Sequence, residues 1–312
     1  MRKNSRTSAT NRAGRPDFPQ PGAFVYAIVA IAYRRATLRE EVLLAGGRET
    51  KAWTAGANLG WADQARFGAM LMPDEKARAA GPPPLFHGLS KAEIEHVVSG
   101  GKRRVFYRGA QVFGQGNPQD GIYLVETGRI RVFYVGPSGR EITLAYWHPG
   151  NFVGGPDVFT KGIHVWTGIA AVNSSVLHVP GDVLRQMVVQ IPALAIGIIE
   201  GLSFKGRCYS SLAQMLGTRS PSERLAHLLL HLMDLYGVTE RGGVLIAAPF
   251  TQADLANMIG VTRQWVTTSL KRLAEMGVLE SQGANIMIRD AAPLATMRDG
   301  KAGRKDVQED GD

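Results

Sequence analysis

The chain has 312 residues, of which 45% are hydrophobic and 20% are charged, and these proportions are those of globular proteins. They exclude a collagen-like or wholly disordered chain, and the length predicts two domains, or one domain with appendages. The single cysteine, Cys208, excludes a disulfide framework, a four-thiolate zinc site and a self-contained iron–sulfur cluster. It also fits a reducing compartment, so we expect a cytoplasmic protein.

The net charge of +9 comes from 36 Lys/Arg and 27 Asp/Glu. A basic balance of this kind indicates an anionic partner, with nucleic acid as the first candidate. However, residues 1–70 hold 11 Lys/Arg and 5 Asp/Glu, so most of the excess positive charge lies there. A prediction about the globular part must therefore rest on motifs rather than on the overall charge.

Residues 1–80 differ in composition from the rest of the chain. Their start is polar and basic, and the apolar run Ala23–Tyr33 has 11 residues, whereas a membrane-spanning helix needs about 20. Arg34-Arg35 follows this run, where a signal peptide carries small residues. We therefore expect no membrane contact. Residues 1–80 are predicted to be a poorly structured basic extension, or an over-called start ahead of Met70 or Met72.

Residues 81–190 predict an antiparallel β-structure. Ser90 and Glu93 form a capping box for a short helix, and short alternating runs separated by glycine turns follow it. The runs are Arg104–Tyr107, Gln111–Phe113, Gly121–Thr127, Arg129–Val135, Glu141–Trp147, Ile163–Ala171 and Ser175–Val179. Such strands predict a barrel, sandwich or roll whose interior can hold one small ligand. The expected inward residues are Ile122, Leu124, Ile130, Val132, Leu144 and Tyr146.

Residues 191–217 predict a long helix, because apolar residues recur at intervals of three and four. This apolar seam comprises Ile191, Leu194, Ile198, Leu202, Tyr209, Leu212 and Leu216, and Lys205 fills the gap in it. We favour burial of the seam in a homodimer, because it has more surface than one neighbour can cover. The alternative is a helix that lies along its own roll. A second capping box, Ser220 with Glu223, then starts another amphipathic helix.

Residues 218–292 show the pattern of a helix-turn-helix followed by a two-stranded wing. Thr251 can cap a first helix, Gly260 allows the left-handed backbone of a tight turn, and Thr262 can cap a second helix. Two short strands around residues 281–284 predict the wing. Residues 293–312 are expected to form a flexible tail.

The exposed face of the second helix carries side chains that suit DNA. Arginine can bind both major-groove acceptors of guanine, and glutamine can pair with adenine. The expected DNA-binding residues are Thr251, Thr262, Arg263, Gln264, Trp265, Thr267, Thr268, Lys271 and Arg272. Trp265 suits either thymine methyl groups and sugars or packing against the wing. The alternative is a winged helix that contacts no DNA.

The roll, the long helix and the winged helix-turn-helix together resemble the CRP/FNR family of bacterial transcription regulators. The resemblance covers about residues 84–292. In the roll it rests on Gly109, Gly121–Val125, Gly128, Gly139–Ile142 and Pro149–Gly154, and in the C-terminal part on Gly260–Gln264, Val266 and Leu270–Leu273.

The resemblance implies an α+β fold: an N-terminal cyclic-nucleotide-binding-like β-roll, a long dimerisation helix and a C-terminal winged helix-turn-helix. It also implies a homodimer on a two-fold symmetric operator of double-stranded DNA, with half-sites about one helical turn apart. An effector in the roll would tilt the DNA-binding domains through the long helix. Contact with RNA polymerase is implied as well, and the loop Thr239-Glu240-Arg241 is a candidate surface for it.

The roll departs from the cyclic-nucleotide binders of this family, which carry Gly-Glu-Leu and then Arg-Ser. Here Gly154-Gly155-Pro156 and Val165-Trp166 stand at those places, so both charged contacts to a cyclic nucleotide are lost. We expect an effector other than cyclic AMP, or none, and no cofactor is evident. The expected pocket residues are Gly154, Gly155, Val165, Trp166, Tyr209 and Ser210. Gln264 stands where many members carry a glutamate, which predicts a changed operator.

Two other functions are weighed against this one. The first is a regulator controlled by a cyclic nucleotide, and the second is a cupin-like enzyme or carrier fused to a winged helix. Because the chain shows no metal-ligand cluster with cupin spacing and no Ser/His/Asp set, we expect no enzyme activity. His148, His164 and His178 do not fall where haem-binding members place their ligands, and we expect them to be surface or satisfied polar residues.

Overall fold

The structure is a computed structural model that describes residues 83–159, 161–247, 250–282 and 285–300. The predicted extension, residues 1–80, and the end of the predicted tail lie outside the described residues. The helices are α1 (Lys91–Ser99), α2 (Gly181–Gln190), α3 (Pro192–Thr218), α4 (Pro221–Tyr236), α5 (Gln252–Ile259), α6 (Arg263–Glu275) and α7 (Ala292–Arg298). None of these helices has the length and apolar character needed to cross a membrane.

Among the described residues, ten strands precede α2, and four lie in the C-terminal part of the chain. They are β1 (Lys102–Phe106), β2 (Gln111–Phe113), β3 (Pro118–Gln119), β4 (Gly121–Thr127), β5 (Ile130–Val135), β6 (Glu141–Trp147), β7 (Phe152–Val153), β8 (Gly162–Ile163), β9 (Thr167–Ala170), β10 (Ser174–Pro180), β11 (Gly237–Glu240), β12 (Gly243–Ile246), β13 (Leu279–Gln282) and β14 (Asn285–Ile288). The predicted strand Ile163–Ala171 is therefore two strands, β8 and β9.

The roll consists of two four-stranded antiparallel sheets and one small pair. The orders are β1-β10-β4-β7 and β2-β9-β5-β6, and β3 pairs with β8. Buried side chains of both large sheets, among them Phe113, Val125, Ile130 and Trp147, form the core between them. Together with the helical C-terminal part, this arrangement confirms the predicted α+β fold.

Two of the predicted inward residues lie on the opposite face of their strand. Ile122 and Leu124 pack against helices α2 and α3 rather than into the roll, whereas Tyr123 and Val125 fill the interior. Tyr146 likewise packs with the C-terminal helices. Both faces of β4 and β6 are covered, so apolar residues occupy successive positions and alternation does not identify the inward face.

The apolar seam of α3 is buried within the single chain, contrary to its assignment to a dimer. Ile191, Leu194 and Ile198 pack with α2 and the outer face of β4. Leu212 and Leu216 pack with the C-terminal helices. The seam therefore has several neighbours in its own chain, among them α2, which the sequence analysis did not predict. A different face of α3 is exposed and carries small residues at intervals of three and four: Ser203, Gly206, Ser210, Ala213 and Gly217, with the exposed Ile199 one turn before them.

The C-terminal part contains more regular structure than predicted. The two wing strands join the hairpin β11–β12 in one sheet of order β11-β12-β14-β13, so Thr239 and Glu240 belong to a strand rather than to a loop. The first part of the predicted tail is helix α7, because Leu294 is fully buried against the C-terminal core. The tail prediction is therefore wrong for residues 293–298.

Candidate nucleic-acid interface and roll interior

Helices α5 and α6 meet at a turn whose geometry follows from local sequence. The Thr251 hydroxyl accepts a hydrogen bond from the Asp254 backbone N–H (3.1 Å), and the Asp254 carboxylate accepts one from the Thr251 backbone N–H (2.8 Å). Gly260 ends α5 with φ +65° and ψ +47°, the left-handed region in which glycine carries no steric cost. The Thr262 hydroxyl then accepts a hydrogen bond from the Trp265 backbone N–H (3.2 Å) and starts α6. The predicted helix-turn-helix is present.

Helix α6 has one buried face and one face open to solvent. Val266, Leu270 and Leu273 enter the C-terminal core. The exposed residues of the predicted set are Thr251, Thr262, Arg263, Gln264, Thr267, Thr268, Lys271 and Arg272. Because Arg263 and Gln264 occupy the first turn of α6, they lie at the end of the helix that enters a major groove in this motif.

Some members of the predicted set already have partners within the chain. Trp265 is half-buried and packs against the C-terminal core, which favours the packing interpretation. The Thr267 hydroxyl donates hydrogen bonds to Gln252 Oε1 (2.5 Å) and to the Arg263 carbonyl (3.0 Å). The ammonium of Lys271 lies 3.8 Å from the Glu275 carboxylate, with both side chains mostly exposed, so this ion pair holds Lys271 only weakly.

The first helix of the motif contacts the roll of the same chain. Glu141 on β6 accepts hydrogen bonds from Arg131 Nη2 (2.6 Å) and from Asn257 Nδ2 on α5 (3.2 Å). The ring of Tyr146 lies edge-on to that of Phe250, with centroids 6.2 Å apart, and burial raises the pKa of Tyr146 to about 12. In this arrangement α5 is covered by the roll, and α6 keeps its polar face exposed.

The two cassette glycines of the roll lie against Gln119 of β3, the start of β4, and His164, which directly follows β8. A Cβ atom on Gly155 would lie 2.6 Å from Gln119 Oε1, and one on Gly154 would lie 2.8 Å from the Gly121 carbonyl oxygen. The His164 ring hydrogen-bonds to the Gly154 carbonyl through Nδ1, and burial lowers the pKa of His164. The place of the family's glutamate is thus occupied by the Gln119 amide.

The structure brings together only part of the predicted effector pocket. The rings of Trp166 and Tyr209 are in edge-to-face contact, with centroids 5.5 Å apart, and both pack on the core of the roll. Val165 and Ser210 are exposed instead. Within the single chain, Val165 is exposed and Ser210 lies on the exposed face of α3, so the described residues do not enclose these two with Trp166 and Tyr209.

His148, His164 and His178 are all buried. His178 Nε2 hydrogen-bonds to Asp120 Oδ1 (3.0 Å) and its ring stacks on Tyr123 at 4.7 Å. Burial lowers the pKa of His178, and it lowers that of His148 to about 3. Within the described ranges, no group of three or more possible metal ligands occurs.

The positions of Gln119 and His164 beside the cassette glycines and the burial of Lys205 were not predicted from the sequence. Gln119 and His164 come together because β3 pairs with β8, in which Gln119 lies opposite Gly162. This pairing cannot be inferred from either segment alone. The signal for Lys205 was its position inside an apolar seam, where a charged side chain is exceptional.

Comparison with known proteins yields matches to both parts of the chain. The family model of the cyclic nucleotide-binding domain matches residues 103–190, and that of the Crp-like helix-turn-helix domain matches residues 223–297. The CRP-like cAMP-activated global transcriptional regulator of Mycobacterium tuberculosis is 26% identical over 223 residues, which are 71% of this chain and 98% of that protein. The cyclic AMP receptor protein of Thermus thermophilus is 27% identical over 219 residues, which are 70% and 98%.

Solved structures show the same fold. The c-di-GMP-responsive global regulator CLP of Xanthomonas campestris matches with a TM-score of 0.59 at 20% identity, over 64% of this chain and 99% of that one. A CooA mutant from Carboxydothermus hydrogenoformans matches with a TM-score of 0.54 at 20% identity, over 65% and 89%. With both family models matched in order and the relatives named as transcription regulators, the chain belongs to the CRP/FNR family of transcription regulators.

Proposed function

We propose that this regulator acts as a homodimer that reads a two-fold symmetric operator through the first turn of α6. The observation that carries the proposal is the exposure of Arg263 and Gln264 on a helix fixed by the buried Val266 and Leu270. Arg263 would bind a guanine through O6 and N7, and Gln264 an adenine through N6 and N7. Thr262, Thr268 and Arg272 would contact phosphates. Such a protein works on DNA in the cytoplasm, and its site has no catalytic role.

The exposed small-residue face of α3 supports the dimer. Gly206 and Gly217 have no atom within 4 Å of the place of a Cβ, and Ser210 and Ala213 lie between them on the same face. Small side chains at intervals of three and four let two helices approach closely. Residues 218–290 carry 7 Lys/Arg and 7 Asp/Glu, so one DNA-binding domain has no net charge that attracts it to phosphates. A dimer doubles the number of contacts between α6 and DNA.

Operator selection from a random DNA pool tests this proposal. The wild-type protein should enrich two inverted half-sites with centres about one helical turn, roughly 10–10.5 base pairs, apart. Arg263→Ala should abolish the enrichment, whereas Arg108→Ala, on the exposed surface of the roll, should leave it intact. Enrichment that survives Arg263→Ala, or selection of the usual family sequence despite Gln264, would overturn the assignment.

We also propose that the effector is not cyclic AMP. The cassette carries neither the glutamate nor the arginine of cyclic-nucleotide binders, and Gln119 occupies the space beside Gly155. The names of two relatives, which refer to cyclic AMP, favour a cyclic-nucleotide-controlled regulator as the second candidate. Calorimetry with cyclic AMP and cyclic GMP separates the two, since saturable heat with either nucleotide would replace the first candidate by the second.

Contact with RNA polymerase is proposed for the turn of the β11–β12 hairpin. Thr239 and Glu240 at the end of β11 and Arg241 in the turn are exposed, and Arg289 Nη1 donates a hydrogen bond to the Gly242 carbonyl (2.7 Å) that fixes the turn. In transcription assays, Arg241→Ala should reduce activation without changing operator affinity. Unchanged transcription would mean that this turn does not contact RNA polymerase.

A further inference from the structure

Lys205 is a charged side chain inside the junction between α3 and the roll. Only 8% of its surface is exposed. Its Nζ lies 3.3 Å from the centroid of the Phe152 ring and 4.8 Å from that of the Trp147 ring, and it donates a hydrogen bond to the Phe152 carbonyl (2.5 Å). An ammonium group in such apolar surroundings is costly unless an anion pairs with it.

The part of the chain that the structure describes supplies no such anion. Lys205 forms no ion pair with any carboxylate there. A second donor lies beside it, since Trp147 Nε1 is buried and has no acceptor among the described residues. An ammonium and an indole N–H therefore lie beside the same buried aromatic rings, and both are donors of the kind that a carboxylate accepts.

Lys205 contacts Phe152 where α3 meets β7, the strand that precedes the cassette glycines. A Cβ on Gly201 would approach a Phe152 ring carbon to 2.6 Å, so the ring lies against the helix at Gly201, one turn before Lys205. Phe152 precedes Val153 and the cassette glycine Gly154 in the chain. A ligand that draws Nζ away from the Phe152 carbonyl would change the contact between the cassette and the helix that continues to the C-terminal domain.

We propose that Lys205 and Trp147 form a binding site for a small organic monocarboxylate with an apolar body. The carboxylate accepts hydrogen bonds from Lys205 Nζ and Trp147 Nε1, and the apolar body packs on the Phe152 ring. This deepens the proposed function by naming the chemical class of the effector, but the binding itself requires no DNA. It can therefore succeed or fail independently of the operator.

Protonation of Lys205 controls this binding. Burial lowers the pKa of Lys205 to about 7, and Cys208, on the same helix, is the titratable group that acts on it in the described residues. The Cys208 thiol stays neutral because burial raises its pKa to about 12. Since only the ammonium binds an anion, carboxylate affinity should fall roughly 100-fold between about pH 6 and about pH 9, with one proton taken up per ligand at the upper end.

Calorimetry of the full-length protein with benzoate and butyrate tests the site, and benzamide is the uncharged control. We expect saturable benzoate binding, at least tenfold weaker benzamide binding, and proton uptake at about pH 9 that is measured by comparing buffers of different ionisation heat. Lys205→Met should weaken benzoate binding by roughly 100-fold and remove the proton uptake, and Trp147→Phe should weaken it roughly tenfold. Arg207→Met, on the exposed side of the same helix, is the matched control and should bind as the wild type does.

The contrary results are equally specific. No saturable heat with either carboxylate would overturn the site, as would equal affinities for benzoate and benzamide. Benzoate binding that Lys205→Met leaves unchanged would place the ligand elsewhere. None of these results depends on operator binding, so they are distinct from a failure of the proposed DNA interface.

Discussion

Replacing Lys205 by methionine should change the pH dependence of folding in a defined direction. The substitution keeps an unbranched side chain in the pocket formed by Phe152 and Trp147 and removes the buried charge. A buried lysine with a lowered pKa binds fewer protons in the folded state than in the unfolded state. Between its two pKa values the wild-type protein therefore becomes more stable as the pH rises.

The magnitude follows from the shift of the Lys205 pKa from 10.5 to about 7. At about 1.4 kcal/mol per pKa unit, this shift lowers the free energy of unfolding of the wild type by about 4 kcal/mol at pH 7. At about pH 9 the same shift lowers the free energy of unfolding by only about 2 kcal/mol. The free energy of unfolding of Lys205→Met minus that of the wild type should therefore fall by about 2 kcal/mol between about pH 7 and about pH 9.

Urea unfolding of the full-length protein, followed by circular dichroism at several pH values, measures this difference directly. Taking the variant minus the wild type removes the contributions of all other titrating groups. Arg207→Met is the control, because Arg207 is exposed on the same helix, and its difference from the wild type should not vary with pH. If the Lys205→Met difference were also independent of pH, Lys205 would not be a buried, titrating cation.

Three other substitutions probe the dimer, the turn and the cassette. Gly206→Arg should convert the dimer to a monomer in sedimentation, because it fills the open space on α3, whereas Gln186→Arg, exposed on α2, should not. Gly260→Ala should destabilise the protein to urea by about 1–2 kcal/mol, because φ is +65° there. Gly154→Ala should cost about 1–3 kcal/mol in the same assay, because its Cβ would lie 2.8 Å from the Gly121 carbonyl oxygen. Wild-type stability of either glycine variant would contradict the backbone geometry.

The features that local chemistry determines could be predicted from the sequence. Capping boxes at Ser90 and Ser220 and the left-handed glycine at Gly260 are all present. Each depends on residues within one helical turn, so no distant contact can alter it. The boundaries of α5 and α6, and with them the exposed position of Arg263, follow from the same local signals.

The features that depend on distant packing could not be predicted. The apolar seam of α3 has the spacing of a dimer interface, yet its residues pack with α2 and both domains of the same chain. Periodicity identifies which face of a helix is buried but not which partner covers it. Gln119 and His164 reach the cassette only through the pairing of β3 with β8, which no short-range pattern reveals.

A double-mutant cycle between Arg263 and its guanine tests the central claim most directly. Operator affinity would be measured for the wild type and Arg263→Ala, each with guanine and with 7-deazaguanine at the selected position. The account predicts a loss of about 1–3 kcal/mol for each single change and little further loss when both are combined, because Arg263 and the guanine N7 form one interaction. Fully additive losses would mean that Arg263 does not contact that base, and the proposed reading of the operator through α6 would be wrong.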